Sequence, residues 1–136
     1  MKIIIAIPRI LLGLAFAVLP LLAIIHQGSH PPAPHPPTPP SGAGAFIGGL
    51  KQTGYMMPLV WGTEIVSGIM ILVGLFVPFA LVLLAPVLVN IFLFHVFLAP
   101  SPNGLATAII VCVLELVVAW QYRKAFAALF VYGNPN

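Results

Sequence analysis

Charge is what this 136-residue chain has least of: five Lys and Arg and two Asp and Glu in all. A soluble domain carries about a quarter of its residues as charges, which keep its surface wetted around the core. Here charged residues make up 5% and apolar ones 61%. Water is thereby excluded as the solvent for most side chains, and lipid takes its place. The bases are scattered, so the net charge of +3 forms no stripe of the kind a nucleic acid needs, and no nucleic-acid partner is expected. Cysteine is almost absent too. Cys112 is the only one, which excludes an internal disulfide and any dithiol exchange run by this chain alone. There is no phosphate loop, dinucleotide fingerprint or nucleophile elbow. Electron transfer would therefore need a bound cofactor or another subunit.

What the chain does have is long apolar runs. At about 1.5 Å per residue, some 20 residues cross the hydrocarbon layer. Four stretches meet that length, at about 3–25, 56–76, 78–98 and 105–122. They predict an all-α fold: an integral membrane four-helix bundle forming a single domain over 1–136. Arg9 interrupts the first run, which favours a retained membrane helix over a cleaved leader. Pro20 and Pro86 should bend spans one and three. Val77 and Pro78 leave room only for a tight turn between spans two and three.

The outer loop is assigned to 26–55. Its first part, HQGSHPPAPHPPTPP, has seven prolines in fifteen residues. Proline has no N–H to give a helix, so the run favours solvated, extended geometry outside the bilayer. It serves as a spacer or as a ligand for a polyproline-binding partner. Farther on, Phe46, Ile47 and Leu50 share one side of a short helix at the interface, although the surrounding glycines also allow an irregular cap.

Four spans put both termini on one side. That side carries Lys2, Arg123 and Lys124 with Arg9 nearby, against Lys51 alone on the other. The positive-inside rule then makes both ends cytoplasmic, the 74–78 turn cytoplasmic and the proline-rich loop external. Trp120 and Tyr122 beside Arg123 and Lys124 have the composition of an interface anchor.

Polar groups inside a span are costly without partners, so their depth is informative. Glu115 and Arg9 each lie about 10 Å from the cytoplasmic side, which suggests an ion pair and a structural polar network. Glu64 and Asn90 each lie about 12 Å from the outer side, with His95 within about 5 Å of it. Glu64, Asn90 and His95 are therefore the candidates for a site. Gly13 and Ala17 form a small-xxx-small pair that allows close helix approach. Three readings of the carboxylates stay open: internal networks that fix helix pairing, a proton relay or site for a reducible ligand such as quinone, and solute passage through an oligomer. His26, His30, His35 and His95 offer imidazoles to a metal, but their spacing matches no compact metal motif.

The segments IPRILLGLAF at 7–16, GAFIGGLKQTGYMMPLVWGTEIVSGIMILVGLFVPFALVLLAPVLVNIFLFHVFL at 44–98 and LELVVAWQYRKAF at 114–126 resemble the DoxX family of small bacterial membrane proteins. The resemblance implies a four-helix protein of the bacterial cytoplasmic membrane. It further implies association with an oxidoreductase or quinone-linked redox system, with Arg9, Glu64, Asn90, His95 and Glu115 at the family's polar positions. The chain departs from the family pattern at Leu19-Pro20-Leu21-Leu22 and in its uncharged 74–78 turn. The leading expectation is a membrane subunit of such a system, with quinone as cofactor and a redox protein as partner. The alternative is a non-catalytic scaffold or assembly protein, alone or as a homo-oligomer, whose buried polar residues serve helix packing.

Overall fold

A computed structural model describes residues 2–29 and 41–130. The proline run at 31–40, with His30 and His35, lies outside the described residues. The chain is all-helical in the order α1 (Lys2–Ser29), α2 (Gly42–Gln52), α3 (Met56–Val73), α4 (Val77–Leu93), α5 (Pro102–Gln121) and α6 (Arg123–Ala127). α4 continues into one π-helical turn, Phe94–Leu98. Four of these elements are long and apolar enough to cross a membrane: Ala6–His26, Met56–Val73, Val77–Leu98 and Pro102–Gln121. The protein is a multi-pass membrane protein.

α1 packs chiefly on α3 and also on α5, while α4 packs on both α3 and α5. The spans thus form a ring in the order α1, α3, α4, α5. The tightest seam is α1 on α3. A Cβ built on Gly68 would lie 2.5 Å from the Ala17 nitrogen and 3.0 Å from the Gly13 oxygen. Only the absent side chain lets the two backbones come so close. Leu12, Ile71, Leu84, Leu88, Ala80 and Val118 fill the interior, while most other large apolar side chains are turned outward. Outward apolar faces are what a lipid solvent requires.

The helix ends follow local chemistry. Gly74 takes a left-handed conformation (φ +82°) and its N–H donates to Met70 O, which stops α3 three residues before the expected boundary. Phe76 is also left-handed (φ +50°), unusual for a residue with a side chain, and it sits 74% exposed at the tip of the turn. α5 starts at Pro102, earlier than the expected 105. Ser101 caps it by accepting a hydrogen bond from Gly104 N at 3.2 Å, and proline fits the first turn because its missing N–H is not needed there. Ser41 caps α2 in the same way. α2 carries Phe46, Ile47 and Leu50 half-buried on one side. It rests on the π turn through Phe46 and Phe94, whose ring centroids are 5.7 Å apart.

The molecule therefore has two ends. The turn end holds the 74–76 turn, Arg9 and α6. The loop end holds α2, the π turn and the start of α5.

Candidate functional site

Toward the loop end, the four spans do not close fully. A cavity of about 240 Å³ remains between them, walled by Ala15, Phe16, Leu19, Pro20 and Ala23 of α1, Ile91 of α4, and Ala108 and Val111 of α5. Its polar lining comes from Glu64, His95 and Thr107, with Trp61 beside them. Pro20 contributes a wall residue that has no N–H for the Phe16 carbonyl.

Glu64 is 8% exposed, which is very little for a carboxyl group. Among the described residues no hydrogen bond or ion pair joins it to His95 or to any other group. His95 sits in the π turn, a distortion that recurs at functional sites because it re-aims the side chains of one turn. Its Nδ1 lies 2.8 Å from Ile91 O. The Thr107 hydroxyl donates to Asn103 O at 2.9 Å. One turn deeper than Glu64, Ser67 is fully buried and its hydroxyl has no partner. Beyond it Leu12, Ile71 and Leu84, all 0% exposed, fill the interior toward the turn end. The cavity is bounded on that side by packed apolar side chains.

The structure brings two of the three expected site residues together. Asn90 does not join them. It is exposed, because Leu84, Leu88 and Ile91 take the inward stripe of α4 at spacings of four and three, leaving Asn90 turned away. Trp61 and Thr107, which depth counting passed over, line the cavity instead.

The Arg9 and Glu115 network also takes a different form. The Arg9 guanidinium lies over Gly74, where a Cβ would be 2.7 Å from Nη1. There it meets the C-terminal end of α3, whose unpaired carbonyls attract a cation. Glu115 instead enters a groove between α4 and α5 beside Leu81, Val82, Ala85 and Phe126. Arg9 Nε and Glu115 Oε1 are both buried without a hydrogen-bond partner, and no ion pair joins the two residues. Equal depth is not contact when the side chains leave their helices in different directions.

Metal capture finds no geometry either. Among the described residues no group of three His, Cys, Asp or Glu side chains converges. His26 is exposed at the end of α1, and His30 and His35 lie outside the described residues.

No family model, curated protein or solved structure matches the chain. The chemistry of the cavity is then what points to a ligand. Its walls are apolar, with aromatic surface from Phe16 and Trp61, and its hydrogen-bonding groups are few and unpaired with one another. Pockets for organic ligands are built this way. Drug-sized ligands occupy pockets of about 300–1,000 Å³. The smaller volume here suits a single substituted ring.

Proposed function

We propose that the protein is a membrane-embedded subunit of a quinone-linked redox system and that the cavity holds the headgroup of the quinone–hydroquinone couple. Glu64 and His95 hydrogen-bond the ring oxygens and exchange protons with them. The observation that carries this reading is that two hydrogen-bonding side chains from different spans line one apolar cavity without bonding each other. A ligand between them would bond both, and Glu64, only 8% exposed, has no hydrogen-bond partner among the described residues, which is costly for a carboxyl group so placed. The DoxX-like motifs point the same way.

The same reading places the protein in a bacterial cytoplasmic membrane with both ends in the cytoplasm. Lys2, Arg9, Arg123 and Lys124 belong to the turn end and only Lys51 to the loop end, so the cavity lies toward the external face. A redox protein partner supplies or removes the electrons, since this chain has no redox-active pair of its own.

Purification in mild detergent from the native membrane, followed by solvent extraction, tests the proposal. About one quinone per chain is expected, oxidised and reduced forms counted together, with a marked loss in Glu64→Gln. Equal quinone in the two preparations, at the level of bulk lipid, would leave the scaffold role as the better account.

A further inference from the structure

The way His95 is held says which form of a ring ligand it can accept. A backbone carbonyl only accepts hydrogen bonds, so the 2.8 Å contact between Nδ1 and Ile91 O puts the imidazole proton on Nδ1. In the neutral ring Nε2 is then a bare acceptor. It has no hydrogen-bond partner among the described residues.

Packing holds the ring in its place, and the Ile91 bond decides which edge it presents. Phe94 meets it edge-on, with ring centroids 5.3 Å apart. Gly104 of α5 also leaves just enough room for the ring: a Cβ there would run into Cδ2 of the imidazole and lie 2.9 Å from Nε2. Turning the ring would also give up the Ile91 bond and set a carbon against that carbonyl.

Donors elsewhere in the lining stand on a different helix. The Thr107 hydroxyl proton is committed to Asn103 O, and the Trp61 indole N–H belongs, like Glu64, to α3, whereas His95 is held by α4 and α5. With Nδ1 tied to Ile91 O, the group His95 has left to offer is the Nε2 lone pair.

We propose that the cavity selects the hydroxyl form of its ring ligand, a hydroquinone or phenol, over the corresponding carbonyl form. The ligand O–H donates to His95 Nε2. A quinone oxygen in that place sets acceptor against acceptor and leaves both buried without a hydrogen bond, which sites built around a hydrogen bond reject strongly. This inference rests on the cavity being the ligand site proposed above.

The test is anaerobic binding of tetramethylhydroquinone, its quinone and its dimethyl ether to the full chain in nanodiscs. The hydroquinone is expected to bind at least ten-fold more tightly than either of the others. In His95→Phe, which keeps a ring but removes the acceptor, that preference should disappear while the melting curve confirms folding. Quinone binding equal to or tighter than hydroquinone would overturn the selection and leave the cavity standing as a ligand site. Failure of all three compounds to bind would overturn both.

Discussion

Gly68 of α3 sits against the backbone of Ala17 in α1 so closely that a methyl group on Gly68 would be 2.5 Å from the Ala17 nitrogen and 2.7 Å from the Phe16 carbonyl carbon. Neither atom belongs to a flexible side chain, so relief requires the helices to move apart. Gly68→Ala is expected to destabilise the fold by about 1–3 kcal/mol, the usual cost of overpacking. Thermal unfolding in detergent measures it, with Gly62→Ala as the comparison because nothing lies within 4 Å of a Cβ there. A Gly68→Ala protein as stable as Gly62→Ala would rule out the close seam.

Gly74 is under two constraints that a double mutant separates. Its left-handed backbone disfavours any side chain by about 1–2 kcal/mol, and the Arg9 guanidinium occupies the space a Cβ would take. Gly74→Ala should lower stability more in the native background than in Arg9→Ala. If the two losses are equal, Arg9 does not lie on Gly74.

The spans were legible because they depend on local composition, some twenty apolar residues at a time, but their ends were not: α3 stops at Val73 rather than 76 and α5 starts at Pro102 rather than 105, because caps at Gly74 and Ser101 set them. Gly13 and Ala17 announced the close seam, although their partner Gly68 could not be named. Direction around a helix was a different matter. α4 is apolar on nearly every side, so its sequence gives no stripe to orient Asn90, and counting residues fixed only its depth. Arg9 and Glu115 likewise share a depth but not a direction, and form no pair. Glu64 and His95 stand out in the sequence because a carboxyl group and an imidazole are rare in any span, but the cavity that both line depends on four helices meeting and could not be read from any one.

Ser101 offers a separate check on α5. Removing a serine cap costs about 0.5–2 kcal/mol, so Ser101→Ala should lower stability by roughly that amount. It should also loosen the first turn, where Gly104 borders His95. Amide hydrogen exchange at Gly104 and Leu105 is the measurement, and faster exchange in the variant is expected. Unchanged exchange would mean that the cap is not formed.

Gly104→Ala tests the placement of the imidazole. The added methyl must displace the ring that now fills that space. Binding of tetramethylhydroquinone should weaken at least ten-fold while global stability falls by less than in Gly68→Ala. Undiminished affinity would show that the ring's position does not govern binding.

The most direct measurement fills the cavity without touching either polar residue. Ala108 lies in its wall and is 1% exposed, so Ala108→Phe should occupy the space while leaving Glu64 and His95 in place. Tetramethylhydroquinone binding to the native chain in nanodiscs should saturate near one per chain. It should be lost in Ala108→Phe, with a cooperative melting transition showing that the variant still folds. Saturable binding of the same affinity in a folded Ala108→Phe protein would contradict the account, because the ligand would then be held somewhere other than between Glu64 and His95.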